Sequence, residues 1–134
     1  MTYIKQMFAS HPVNPSSDHA VVIECITASY SCLEACNACA DACLGEKNVA
    51  ELVDCIRACT DCADVCLATA RIMSRFTRTD FKLAGAQLRA CIQACEICGA
   101  DCAKHGEHME HCRVCAEACR RCAAACQALL AEKP

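Results

Sequence analysis

Large side chains for a conventional hydrophobic core are scarce in this sequence. Its 134 residues include no Trp, two Tyr and three Phe. A domain of this size normally buries well over half of the surface that its unfolded chain exposes. Other residues must therefore fill the interior. The 18 cysteines are the leading candidates, because a reduced cysteine behaves as a small, readily buried apolar residue.

Other features that the chain lacks indicate where it works. No stretch approaches the roughly 18 consecutive apolar residues that a membrane-spanning helix requires. Residues 1–17 contain neither an apolar run of signal-peptide length nor a small-residue cleavage pattern. The net charge of −3 argues against a nucleic-acid partner. We therefore expect a cytoplasmic protein with no membrane or nucleic-acid partner, in which the thiols stay reduced.

The cysteines form four clusters in which neighbours are separated by three, four or, once, seven residues. Steps of three and four keep side chains on one face of an α-helix, whereas a strand requires steps of two. The clusters therefore predict four helices, each carrying a stripe of thiols. The stripes are Cys25, Cys32, Cys36, Cys39 and Cys43; Cys55, Cys59, Cys62 and Cys66; Cys91, Cys95, Cys98 and Cys102; and Cys112, Cys115, Cys119, Cys122 and Cys126.

Capping patterns predict helices at about 18–44, 48–76, 80–105 and 107–132, which together form one domain over residues 18–132. The candidate boundary residues are Ser17 or Asp18, Gly45, Asn48 with Glu51, Thr79 or Asp80, and Gly106. Short connections make consecutive helices antiparallel, so the predicted fold is an all-α, up-down-up-down four-helix bundle with a cysteine-lined core. Residues 1–17 are predicted to be an N-terminal arm or short helix. Its apolar side chains, which we expect to dock on the bundle, are Tyr3, Ile4, Met7 and Phe8.

The two ends of the predicted bundle differ in composition. The thiols crowd toward the end that holds the Gly45 and Gly106 loops. At the opposite end, large apolar residues continue the same stripes and are predicted to close the bundle. These residues are Val21, Val22, Met73, Phe76, Phe81, Leu88 and Leu129.

Three imidazoles and a thioether lie in or near the stripe register at the thiol-rich end. His105 is seven residues after Cys98, and His108 is seven before Cys115. Imidazole and thioether groups are ligands for soft or borderline metal ions. We therefore expect a metal entry site formed by His105, His108, Met109 and His111. The same spacing would also be found if these four residues only surrounded a solvated loop and bound no metal. His11 and His19 lie off it.

Several roles for the thiols can be weighed against the stripe pattern. Cysteines that merely fill a core do not require heptad spacing, and neighbours on one helix are poorly placed for disulfides. Runs of the ferredoxin type, which hold iron–sulfur clusters, are absent from the sequence. A redox enzyme would need one accessible cysteine with a low pKa, and no catalytic constellation stands out, so we do not expect an enzyme. Many d10 metal ions, Cu(I) or Zn(II), remain.

Charge favours Cu(I) over Zn(II). One Cu(I) per thiolate leaves the core near neutral, whereas a zinc ion with four thiolates leaves net negative charge in the bundle, and buried charge is costly. A stripe also offers neighbouring pairs of sulfurs, which suit the low coordination numbers of Cu(I), rather than four sulfurs that converge on one zinc. A zinc or general thiophilic metal buffer, or a copper chaperone or sensor, remains the alternative.

The four striped helices over about residues 18–132 resemble those of the bacterial four-helix-bundle copper storage proteins. Because no export signal is recognisable, the chain is more similar to the cytosolic members of that family than to the exported ones. The resemblance implies multiple Cu(I) ions held mainly by the 18 cysteines, further His or Met sites at an open mouth, and a homotetramer. Copper would arrive from a carrier protein or a small thiol. Residues off the stripes that are candidates for a subunit contact, or equally for packing inside one bundle, are Ile26, Leu33 and Val114.

Overall fold

The computed structural model describes residues 3–13, 15 and 19–132. Five α-helices follow one another: α1 (Ile4–Ala9), α2 (Ala20–Leu44), α3 (Val53–Met73), α4 (Phe81–His105) and α5 (Glu110–Glu132), with a 3-10 turn at Val49–Leu52 before α3. No helix among these described residues is both long enough and apolar enough to cross a membrane.

Helices α2 to α5 form the predicted four-helix bundle. Each packs against two others: α2 lies beside α3 and α5, and α4 lies beside the same two helices. Helices α2 and α4 are therefore diagonal to each other, as are α3 and α5. This arrangement brings all four cysteine stripes to one central axis.

The helix ends differ from the predicted ones in three places, one of which is the end of α3 at Met73 rather than at about residue 76. Asn48 makes no side-chain capping bond, so it does not cap the second helix as predicted. The segment opens instead as a 3-10 turn, in which Glu51 N donates to Asn48 O at 2.9 Å. The last helix begins at Glu110 rather than Glu107, because residues 106–108 form a turn after α4.

Other predicted ends agree better with the structure. The Asp80 side chain caps α4 and accepts hydrogen bonds from Lys82 N and Leu83 N at 3.0 and 3.1 Å. Gly45 and Gly106 end α2 and α4, both with ordinary negative φ angles. The proposed cap at Ser17 or Asp18 lies outside the described residues.

Sulfur fills the interior of the bundle. All 18 cysteines are free thiols, and each is at most 2% exposed. Such small side chains let the helices approach closely. A Cβ atom added to Gly99 of α4 would lie 3.3 Å from Cys119 Cβ of α5, which is tighter than an ordinary contact. The core is therefore dense although it contains few large apolar residues.

At the end of the bundle away from the Gly45 and Gly106 loops, apolar side chains rather than thiols fill the core. Met73 and Leu88 are buried there, as predicted. Helix α1 completes the closure, because buried Phe8 stacks on Phe76 with a centroid distance of 4.9 Å. Phe81 was also predicted in this closure, but it is 53% exposed, since it is the first residue of α4 and lies at the rim.

Candidate metal centre

The thiols of different helices meet in groups of four. Within each group the donor atoms all lie within 4.8 Å of one another, and individual sulfur–sulfur contacts measure 3.6 to 4.0 Å. The groups formed by cysteines alone include Cys32, Cys66, Cys95 and Cys122; Cys32, Cys36, Cys62 and Cys119; Cys36, Cys98, Cys115 and Cys119; and Cys39, Cys59, Cys102 and Cys115.

These groups overlap, so the thiols form a continuous column rather than separate sites. Cys36 illustrates the overlap: its Sγ lies 3.8 Å from Cys98 Sγ, 3.8 Å from Cys119 Sγ and 3.7 Å from Cys115 Sγ. A sulfur with neighbours on several helices can bridge two metal ions. The arrangement therefore suits a chain of bridged ions along the axis.

The sequence-based argument that the stripes offer pairs but no convergent group of four is wrong. Stripes on adjacent and diagonal helices interleave, and tetrahedral zinc–thiolate bonds of about 2.3 Å imply sulfur–sulfur distances of about 3.8 Å, close to those observed. The structure therefore does not exclude Zn(II) on distance. A preference between Cu(I) and Zn(II) must therefore come from the sulfurs that neighbouring groups share and from the net charge left in the core.

Burial by itself disfavours charge on a thiol, and at two positions it acts together with neighbouring thiols to raise the pKa. Hydrogen bonds with Cys115 and Cys119, together with burial, raise the pKa of Cys36 above its usual range. Near the open end, burial and, to a smaller extent, the neighbouring Cys112 raise the pKa of Cys43 to about 11. These thiols are neutral at pH 7 in the metal-free protein, so a metal ion must displace their protons.

The described basic residues lie outside this core. Arg121 of α5 donates two hydrogen bonds to Glu24 of α2, at 2.9 and 3.0 Å, on the bundle surface. Arg113 pairs with Glu110 and Glu117 on the exposed face of α5. No described Lys or Arg is among the buried residues. A monovalent cargo cation is therefore the natural counter-charge for the thiolates.

One of the predicted mouth residues joins the thiols directly. His111 Nδ1 lies 3.3 Å from Cys39 Sγ and 3.6 Å from Cys112 Sγ, and with Cys43 these residues form a further four-donor group. His111 Nε2 lies 2.9 Å from Glu46 Oε2 in the α2–α3 connection. This contact leaves Nδ1 directed at the sulfurs.

The other predicted mouth residues are placed differently. Met109 is buried just before α5, and His105 is half-buried as the last residue of α4. His108 is exposed in the turn between α4 and α5, because that turn displaces it from the helical register. Within the described part of the chain, no hydrogen bond links His105 or His108 to a cysteine. His19, which was expected off the site, packs on Phe76 at 4.5 Å between ring centroids.

Sequence reasoning missed two residues beside the thiols. Ser29 lies four residues after Cys25 and three before Cys32, so it occupies the gap in the first stripe, and it is fully buried. The spacing alone would have identified it. Glu46 has no comparable signal, because its contact with His111 joins residues far apart in the chain.

A four-helix bundle with a continuous, buried thiol column defines a class of protein that binds several thiophilic metal ions. Residues 18–131 match the family described as copper storage protein (Csp). The chain belongs to this family.

Two solved structures and one curated relative are similar to this chain. The structure of the copper storage protein Ccsp from Streptomyces lividans, loaded with 10 copper equivalents, is 47% identical, with a TM-score of 0.92 over 97% of this chain and 99% of that one. The cytosolic copper storage protein of the same organism with five coppers is 52% identical, with a TM-score of 0.84 over 86% of this chain and 96% of that one. An uncharacterized cysteine-rich protein of Bacillus subtilis, YhjQ, is 38% identical over 70% of this chain and 82% of its own length.

Proposed function

We propose that this protein stores Cu(I) in the cytoplasm, with all 18 cysteines as core ligands. The overlapping four-sulfur groups carry the proposal, because they form one column in which each thiolate can bridge successive ions. Soft thiolates favour Cu(I). The related Streptomyces lividans protein is described as cytosolic and holds five or 10 coppers, which supports both the location and the many-ion cargo.

Overlap and charge favour Cu(I) over the alternative Zn(II) cargo. Two groups share Cys32, two share Cys36 and two share Cys115, so isolated four-thiolate zinc sites compete for the same sulfurs. Each such zinc site would keep a net charge of about −2 in a core where none of the described buried residues is Lys or Arg. Because the sulfur distances suit zinc, a zinc or thiophilic metal buffer remains the second candidate.

Copper entry is proposed at the end that holds His111. This imidazole, with Cys39, Cys43 and Cys112, forms a four-donor group at that end, and the imidazole itself is half-buried rather than sealed. Glu46 accepts a hydrogen bond from Nε2, which keeps the Nδ1 lone pair available for metal. We place His105, His108 and Met109 around this group as outer ligands that receive copper from a carrier protein or a small thiol.

A homotetramer of bundles is part of the proposal and rests on the family resemblance. Ile26 does not serve as a subunit contact, because it is fully buried within its own bundle. Val114 of α5 is exposed, and Leu33 of α2 is half-buried, so both remain candidates. We propose no catalytic role.

The proposal is tested by anaerobic titration of reduced protein with Cu(I) against a competing chelator, in parallel with Zn(II). We expect saturation near one copper per thiol and copper binding far tighter than zinc binding. Saturation at four or fewer copper ions, or displacement of copper by zinc, would refute the storage function and favour the zinc buffer. A chaperone or sensor would saturate at about one equivalent.

A further inference from the structure

Ser29 occupies a position in the thiol column where the stripe of α2 predicts a cysteine. Its spacing from Cys25 and Cys32 places it on the same helix face, and its side chain is fully buried. Its Oγ lies 3.6 Å from Cys122 Sγ of α5. The Ser29 side chain therefore lies inside the thiol column, and it places an oxygen where the neighbouring stripe positions place a sulfur.

Oxygen at this position changes what the position can bind. A neutral hydroxyl is a hard donor and a poor ligand for Cu(I), but it is a hydrogen-bond donor. Cys122 belongs to the four-sulfur group of Cys32, Cys66 and Cys95. Once copper binds, this sulfur is anionic, and a hydroxyl donates more strongly to an anionic acceptor than to a neutral one.

A second buried hydroxyl lies on α3, beyond the last cysteine of that helix. Thr69 is three residues after Cys66, yet its Oγ1 donates to Val65 O at 2.8 Å and accepts from Gln87 Nε2 at 2.9 Å. Its hydrogen bonds therefore lie with its own helix and with α4 rather than with the thiols. The α3 stripe therefore ends at Cys66, whereas the α2 stripe is interrupted at Ser29 and resumes at Cys25.

The α4 stripe ends at Cys91, level with Cys122, while the α5 stripe continues to Cys126. Cys91 Sγ lies 3.8 Å from Cys122 Sγ, and Cys126 Sγ lies 3.8 Å from Cys25 Sγ at the closed end. The number of helices that contribute thiols to the column therefore falls between the levels of Cys32 and Cys25. The decrease has a specific cause on α2, namely one serine.

We propose that Ser29 is a built-in interruption of the thiol column that limits copper capacity at the closed end and holds the copper-bound Cys122 sulfur by a hydrogen bond. The inference rests on the proposed storage function. Under it, Cys25 and Cys126 form a terminal site that is not bridged to Cys32 along α2. The hydroxyl positions a ligand but is not one itself.

Replacing the serine by a thiol tests the capacity limit. Ser29→Cys is expected to raise the copper content at saturation by about one equivalent, because it adds one thiolate inside the column and one Cu(I) balances its charge. Ser31→Cys, two residues away on the same helix but off the stripe, is the matched control and is expected to leave the tightly bound copper unchanged. An unchanged content in Ser29→Cys, or an equal rise in both variants, would overturn the capacity limit.

Removing the hydroxyl tests the hydrogen bond separately and decides the matter if Ser29→Cys does not fold. In Ser29→Ala, a minority of the copper is expected to leave for a chelator about tenfold faster, while total capacity stays that of the natural protein. Ser31→Ala is the control. Release at the natural rate, or equal acceleration of all the copper, would overturn the positioning role. Failure of the natural protein to store copper would instead refute the proposed function, so the two failures are distinguishable.

Discussion

The two ends of the bundle are built from the same four helices but stabilised by different chemistry. At the open end the core consists of thiols, with His111 held by Glu46. At the closed end Met73 and Leu88 replace the thiols, and Phe8 of α1 stacks on Phe76. Apolar contacts require no metal, whereas the thiol column gains much of its interaction energy from its cargo. We therefore expect the closed end to keep the metal-free bundle folded, and we expect copper to enter and leave at the open end.

The largest effect is expected from a cavity created at the closed end, which tests whether stability and copper binding are supplied by different parts of the bundle. Leu88→Ala removes a buried side chain and is expected to lower the free energy of unfolding of the metal-free protein by about 2–4 kcal/mol. Copper capacity should be unchanged, because no ligand is lost. Denaturant unfolding and a Cu(I) titration measure the two quantities.

Leu83→Ala on the same helix is the matched control, since Leu83 is 55% exposed and should cost little. If Leu88→Ala reduced capacity in step with stability, the two ends would not be independent.

At the open end, His111→Ala should weaken binding of the first copper ions by about 10- to 100-fold, because one of the four donors of that group is removed. Stability and total capacity should change little. Stopped-flow loading and chelator competition test this. His105→Ala and His108→Ala should slow loading less, because neither imidazole is hydrogen-bonded to a thiol within the described ranges of the chain. A larger effect for His108 would move the entry site to the exposed turn.

The contrast between His111 and His108 also shows what the sequence can predict. The thiol stripes were predictable because helix periodicity is local and the connections are short. The roles of the histidines were not, because they depend on where α5 begins. A start at Glu110 removes His108 from the helix and keeps His111 on it. The convergence of sulfurs in fours depends on the relative rotation of the helices, which no single stripe specifies.

Glu46→Ala should have a smaller effect than His111→Ala, because the imidazole remains but loses the acceptor that orients it. We expect about tenfold weaker binding of the first copper ions. The readout specific to orientation is the tautomer of His111 in the metal-free protein, measured by 15N NMR, which should shift away from Nε2–H. Glu51→Ala, an exposed acidic residue nearby, is the control for a general loss of negative charge. Equal effects of both variants would indicate electrostatic attraction rather than positioning.

The smallest expected effect concerns pH and separates the two ends by their chemistry. Burial raises the pKa of Cys43 from its ordinary 9.0 to about 11, so the folded protein holds this proton more tightly than the unfolded chain does. The resulting stability is fully present below pH 9 and is lost as the pH rises toward 11, because the unfolded chain then ionises first. Denaturant unfolding of the reduced, metal-free protein should therefore show decreasing stability between these pH values.

The loss of unfolding free energy caused by Leu88→Ala should be the same at both pH values, since leucine does not titrate. Copper-loaded protein should lack the decrease, because its thiols have already lost their protons to the metal. A decrease of the same size in loaded protein would place its origin outside the thiol column.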